Sequence, residues 1–302
     1  MPKVKTWLGE LSKKHANFVF QRRYGTKSYF YLKPDYPYKA SSAQQTIRNR
    51  YKLAKNHYKN LSERSKYLYA EKLDSEALSA WNQLVRRVEK TFLGGEVLVM
   101  FFDELTGNTV YDVSEYENNG TIYGATWRNE GFGLYFDGKD DYIEAPQANI
   151  ANAVSACAWI KHYESSTFYD AFVMQESSQA YYSWTLRFDN NLHPQFAVAN
   201  TDPHWYAATD SKIAPTDTWI FLCGTYNDDT KKIELYRNKD LVGTGKLSGT
   251  WAARDGNVFI GRYPWENVYV NGFAALIRTY RRILSRREIE KYFELERVIF
   301  GV

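Results

Sequence analysis

The sequence predicts a mainly β protein: an antiparallel β-sandwich or barrel over residues 94–302, preceded by a small basic module, a hairpin followed by helices, over residues 1–93. Two observations carry this reading. From Gly94 onward, short apolar and aromatic runs are broken by Gly, Asn and Asp at close, regular spacing, the pattern of many short strands joined by turns. The charge also divides. The 302 residues carry a formal net charge of +4, yet residues 1–90 hold 20 Lys and Arg against 7 Asp and Glu, a net of +13, and residues 91–302 hold 19 against 28, a net of −9. Two modules with different partners are expected, the basic one suited to nucleic acid, an acidic surface or an anionic lattice, or else presenting a solvated lysine-rich face. A composition that is 44% hydrophobic and 25% charged excludes a wholly disordered or collagen-like chain. The longest apolar stretches, Val97 to Phe102 and Trp219 to Cys223, are strand-sized, so no membrane-spanning helix is expected. The N-terminal stretch MPKVKTWLGELSKKHANF is basic but builds no apolar h-region, and no secretory signal peptide is expected.

Taken in order, Phe18 to Leu32 is aromatic and basic, and its central Gly25 marks a turn between two strands. Lys33-Pro34-Asp35-Tyr36-Pro37-Tyr38 is held extended by its prolines, as an arm or linker. Ser42-Ala43-Gln44-Gln45 matches a capping box, and Ile47, Tyr51, Ala54, Tyr58 and Leu61 follow at helical spacing, with Arg48, Arg50, Lys52, Lys55 and Lys59 on the other face. A second helical stretch runs through Tyr67, Ala70, Leu73, Leu78, Trp81, Leu84, Val85 and Val88, so helices are expected over about 42–91. Arg22, Arg23, Lys27, Arg48 and Arg50 are the candidate contacts to a polyanion, because rings stack bases while cations neutralise phosphates. Alternatively, the rings form a small core or dock on another subunit, since a lone hairpin is not independently stable. The stretch QRRYGTKSY, the proline arm, Gln44-Gln45, Arg48, Arg50-Tyr51 and Leu61-Ser62-Glu63-Arg64 resemble short basic modules in proteins of bacteriophages and other prokaryotic viruses.

In the acidic half, Val154 to Ile160 and Trp219 to Tyr226 are almost wholly apolar, as strands packed between two sheets would be. Asn227-Asp228-Asp229 makes a turn, Lys231 to Arg237 alternates polar and apolar, and Asn238-Lys239-Asp240 turns the chain into Leu241-Val242, giving an antiparallel meander. The segments DVSEYENNGTIYGATW (112–127), LYFDGKDDYI (134–143), Ala158 to Lys161, Gly224-Thr225-Tyr226, ELYRNKDLVG (234–243), Phe259-Ile260-Gly261, and Ile283-Leu284-Ser285 with Glu288-Ile289 resemble, in order, the concanavalin A-like, laminin G-type jelly roll, a superfamily that includes the pentraxins. The likeness covers about Gly95 to Phe293. It implies two curved antiparallel sheets face to face, with a short helix over about 285–297.

The same resemblance implies further features. Cys157 and Cys223 fall where pentraxins carry paired cysteines, so a Cys157–Cys223 disulfide is expected, worth about 3 to 4 kcal/mol; two buried free thiols are the alternative in a reducing compartment. Calcium is the usual companion of the superfamily, and one structural calcium ion is expected on Asp103, Asp112, Asn119, Asp137 and Asp140, with Asn118 and Asp141 beside them; otherwise these residues make turns. One departure weighs against the ion: where relatives carry an Asp-Glu pair, this chain has Ala275-Leu276. Glycan contact in such domains comes from loop aromatics, here Trp205, Tyr206, Tyr181, Tyr182 and Trp265 with Glu266, which could equally form a subunit interface. Trp127, Trp159 and Trp219 lie inside strand motifs and are assigned to the core. The Glu-x-Asp-x-x-Glu spacing of the superfamily's glucanases, a His-x-x-x-His pair, a Gly-x-Ser-x-Gly elbow and a phosphate loop are all absent from the sequence, so the protein reads as a non-enzyme that needs no cofactor for catalysis.

The expected function is that of a virion structural protein, made in the host cytoplasm, in which the basic module anchors the chain to other copies of itself or to other virion proteins and the jelly roll meets a host-surface glycan. A cell-associated or exported carbohydrate-binding protein is one alternative, and a nucleic-acid-associated protein acting through the basic module is another.

Overall fold

A computed structural model of the chain describes residues 17–23, 27–33, 42–66, 94–128, 132–146, 148, 150, 152–163 and 170–302. The proline arm at 34–38, the second helical stretch at 67–88 and the side chains of Arg22, Arg23 and Lys27 lie outside the described residues. Contacts divide the chain into two compact units, residues 1–48 and 49–302. In the first unit, β1 (Asn17–Arg23) and β2 (Lys27–Lys33) pair antiparallel with Arg23 opposite Lys27, the hairpin expected about Gly25. Helix α1 (Ser42–Asn60) starts at the capping pattern, and its residues from Asn49 onward belong to the second unit.

The second unit is the sandwich. Its strands are β3 (Glu96–Met100), β4 (Thr109–Val110), β5 (Gly120–Tyr123), β6 (Thr126–Trp127), β7 (Leu134–Asp137), β8 (Tyr142–Ala145), β9 (Ala153–His162), β10 (Asp170–Gln175), β11 (Trp184–Phe188), β12 (Pro194–Ala199), β13 (Trp205–Thr209), β14 (Ile220–Asn227), β15 (Lys232–Arg237), β16 (Asp240–Lys246), β17 (Val258–Ile260), β18 (Arg262–Tyr263), β19 (Val268–Tyr269) and β20 (Asn271–Tyr280). Sheet I runs β13-β12-β11-β10-β17-β8-β5-β4, and sheet II runs β16-β15-β14-β9-β20-β7-β6 with β3 also paired to β20. All named pairings are antiparallel. Helix α2 (Arg286–Phe300) follows, with Ser285 and Glu288 forming its capping box and Gly301 closing its end in the left-handed conformation.

The apolar runs of β9 and β14 have a cause different from the one expected. They are covered by sheet I on one face and by α2 on the other. On the inner face of β14, Gly224 meets Phe196 of β12. On the outer face of β9, Trp159 stacks on Phe293 and Phe300 of α2, at centroid distances of 5.9 and 4.4 Å. Cys157 and Cys223 sit directly opposite each other in the β9–β14 ladder and are joined by a disulfide. Gly224 sets how closely the sheets approach: a Cβ there would lie 2.0 Å from Phe196 Cγ. Gly224→Ala is therefore expected to cost about 1–3 kcal/mol of overpacking strain, read as a lower denaturant midpoint, and an unchanged midpoint would show that the contact is slack.

Helix α1 buries Ala54 and His57, with Leu53 and Tyr58 packed beside them, and Leu61, one residue past its end, is buried as well. The expected apolar face is thus corrected: Tyr51 is exposed and His57 takes its share of the buried stripe. Arg48, Lys52, Lys55 and Lys59 are exposed, and Arg50 is half-buried.

Candidate functional site

Sheet I has one face on the sandwich interior and the other turned away from it. Along β11 the alternation is direct: Trp184, Leu186 and Phe188 enter the main core, so Thr185 and Arg187 point outward. Small outward residues, Ala171, Ala197 and Ala199, make room there for Tyr182 and Tyr263, which cover them as a second apolar cluster. Tyr182 and Tyr263 meet edge to face at 6.2 Å. Arg187, 1% exposed, runs beneath these rings: it donates through Nε to Gln195 (3.0 Å) and through an Nη to the Tyr182 hydroxyl (3.2 Å), and its guanidinium lies 4.8 Å from the Trp205 ring. Beside this group, Trp265 donates its indole N–H to the Tyr181 carbonyl (2.6 Å) and meets the Tyr181 ring at 5.8 Å. Trp205, Tyr181 and Trp265 remain 48, 56 and 52% exposed, and Glu266 is exposed next to them in sequence. Trp205 thus stands over the buried arginine, and Tyr181 and Trp265 form a second solvent-facing pair beside Tyr182, which that arginine holds.

Two of the expected ring contacts are corrected. Tyr182 is buried, with its hydroxyl held by Arg187. Tyr206 packs against the main core, on the face opposite its neighbour Trp205. Arg187 was not anticipated, although its place in the Trp-Thr-Leu-Arg-Phe alternation puts it on the outer face. Trp159 is fully buried, and Trp127 and Trp219 are partly buried against the core, as assigned.

The five residues expected on a calcium ion do not share a place. The Asp112 carboxylate accepts the N–H groups of Val99 (2.8 Å), Ser114 (2.9 Å) and Asn118 (2.9 Å) and the Ser114 hydroxyl (2.7 Å), while Asn119 Oδ1 accepts the Asp112 N–H (2.9 Å). Burial holds the Asp112 pKa above its ordinary value even against these bonds, and its oxygens are spent on fixing the loop. Asp137, Asp140 and Asp141 do converge, with one oxygen each within 4.8 Å of the others. They belong to the β7–β8 turn, where Asp137 accepts the Lys139 N–H and Asp141 accepts the Asp137 N–H, both at 2.9 Å. Asp103 lies in a third place, with His57. The donors present do not fit one shared calcium ion.

That third place is fully enclosed. His57 Nε2 of α1 is 2.9 Å from Asp103 Oδ1, and both side chains are at 0% exposure. The His57 ring meets Phe101 edge-on at 5.2 Å. Glu104, also buried, accepts the Tyr111 N–H at Oε1 (2.9 Å), while Ser65 donates to the Glu104 carbonyl (3.0 Å). Burial, reinforced by the neighbouring Asp103 and opposed by His57, raises the Glu104 pKa to about 7. A cleft of about 270 Å³ opens beside His57, lined by Asn56, Asn60, Tyr111, Asp112 and Asn119 among others.

No curated protein sequence matches the chain. Among solved structures, the sandwich is similar to the receptor-binding domain of botulinum neurotoxin C/D mosaic serotype, with TM-score 0.55, 16% identity, 66% of this chain and 51% of that one covered. It is similar to the serotype D ligand-binding domain in complex with N-acetylneuraminic acid (0.52, 16%, 66% and 50%), and to a botulinum neurotoxin type C structure (0.53, 15%, 66% and 51%). The chain spans about half the length of these structures, and at such identities they speak to the fold. Among the described residues, no helix is long and apolar enough to cross a membrane. The family model Laminin_G_3 matches residues 137–290, from the end of β7 into α2, slightly more than half of the chain. This lectin-like chain belongs to the concanavalin A-like lectin/glucanases superfamily.

Proposed function

We propose that the sandwich binds a glycan on the outer face of sheet I, with Trp205, Tyr181 and Trp265 stacking on sugar faces, Glu266 supplying a charged hydrogen-bonding group, and the buried Arg187 holding Trp205 and Tyr182 in place from beneath. The observation that carries this reading is that one exposed ring, Trp205, lies over an arginine that the fold buries and fixes, while two more, Tyr181 and Trp265, pack on each other beside Tyr182, which that arginine holds. Rings locked by their own indole and guanidinium contacts lose little side-chain freedom on binding, which favours them as anchors. Two similar structures support it: the serotype D domain is seen with N-acetylneuraminic acid, and type C toxin depends on two ganglioside molecules to enter cells. On a glycan array the full chain should bind a restricted set of sugars, and Trp205→Ala should weaken the best of them roughly 30-fold, the ~2 kcal/mol of a binding hot spot. Undiminished binding by both Trp205→Ala and Trp265→Ala, or an array with no bound glycan, would refute the assignment.

The reading extends to a virion. The basic module's likeness to modules of prokaryotic viruses and its +13 charge support a chain anchored by residues 1–93, oligomeric through that anchor, and displaying the lectin-like unit outward. Electron microscopy of purified protein should show ordered oligomers or particle-bound copies, whereas a monodisperse monomer would count against display on a particle.

A further inference from the structure

We infer that His57, Asp103 and Glu104 form a site for one divalent transition-metal ion of the zinc type, which fastens helix α1 to the sandwich. One nitrogen or oxygen atom from each of the three lies within 4.8 Å of the others, and all three side chains are excluded from water. The set combines a helix residue with two consecutive residues of the segment after β3, so chain distant in sequence meets at this point.

The chemistry of the donors selects the ion. A single imidazole carries at most one positive charge against two carboxylates, and burying ionised carboxylates without compensation is costly. A dication supplies the missing charge. Glu104 points to the same need independently: its Oε1 is used by the Tyr111 N–H, but its Oε2 is buried and has no hydrogen-bond partner. An imidazole with two carboxylates suits zinc and its neighbours, whereas calcium prefers oxygen donors throughout. A proton carried on His57 Nε2 would leave when the ion binds there, because a metal-ligating imidazole offers a bare nitrogen. His57 also lines a cleft of about 270 Å³, the side from which an ion, and a water as its fourth ligand, would approach the site.

The test is metal uptake by the full chain. After stripping with chelator, the protein should take up one equivalent of Zn²⁺ with a rise in thermal midpoint, and Co²⁺ in its place should give the visible bands of a low-coordinate site. Glu104→Gln and His57→Asn should each weaken uptake by at least the roughly 10- to 100-fold that loss of a supporting residue costs, while the double variant Asp137→Asn, Asp140→Asn should bind as before. The cobalt spectrum and zinc stoichiometry are read on the unaltered chain, so they decide the matter even where a variant folds poorly. No uptake by that chain would overturn the site and leave a proton shared among the three groups. Unchanged uptake in both ligand variants, or loss only in the Asp137 and Asp140 variant, would overturn it equally.

Discussion

Replacing Glu296 with alanine is expected to lower the unfolding free energy of the sandwich by about 3–5 kcal/mol, the cost of leaving one partner of a buried ion pair alone. Glu296 lies on the inner face of α2, and its carboxylate serves two groups of sheet II. Arg278 of β20, fully buried, donates to it through both terminal nitrogens, one of them at 3.2 Å from Oε2, and the Trp159 indole N–H of β9 donates to Oε2 at 2.7 Å. Guanidinium does not shed its proton in a protein, so removal of the carboxylate strands a full charge between helix and sheet and orphans an indole donor. The Tyr292 ring, 4.8 Å from the guanidinium, offsets only a fraction of that cost. Guanidinium chloride melts should show the loss directly. The double variant Arg278→Met, Glu296→Leu should regain most of it, because the same volume is then filled without charge. A Glu296→Ala protein that melts with the native one would mean that α2 is not fastened through this carboxylate.

How far the sequence could anticipate this arrangement depends on the range of the interaction. Strand runs such as Val154 to Ile160, and the hairpin about Asn238, declare themselves locally, and β9, β14, β15 and β16 fall where they were expected. What lies on each side of a strand is not local. An all-apolar β9 reads the same whether its second cover is a sheet or a helix, and only the contact of Trp159 with Phe293 and Phe300 identifies α2. Counting periodicity in α1 placed Tyr51 inside and passed over His57, because the reason to bury a histidine is Asp103, 46 positions away. The loop acids show the complementary effect. Asp112 looks like a hard cation ligand by type, yet Ser114 and the N–H groups of Val99 and Asn118 consume its oxygens. The exposed rings at 181 and 265 lie in loops as expected and Trp205 begins β13, whereas Tyr206 turns to the core opposite Val198 of β12 and Tyr182 is drawn under by its bond to Arg187, neither of which is local.

Loss of the Cys157–Cys223 bridge should be comparable in size to loss of Glu296. The cysteines are 66 residues apart in sequence, and restoring the freedom of a loop that long to the unfolded chain costs about 4 kcal/mol on the chain-entropy account. The double variant Cys157→Ala, Cys223→Ala is the suitable one, because either single change leaves a buried thiol. Both cysteines are buried, so mild reductant should leave the folded bridge intact and break it only in denaturant, with a fall in the melting midpoint on refolding under reduction. The bridge also makes the chain sensitive to the redox setting in which it folds. A disulfide forms and lasts in an oxidising setting, while a chain folding in cytoplasm keeps its thiols until it leaves. Protein folded in an oxidising medium should therefore take up no alkylating groups when unfolded without reductant, and protein folded and trapped in a reducing one should take up two. Two groups added to the protein folded under oxidising conditions would exclude the bridge, and with it the stabilisation assigned to the β9–β14 pair.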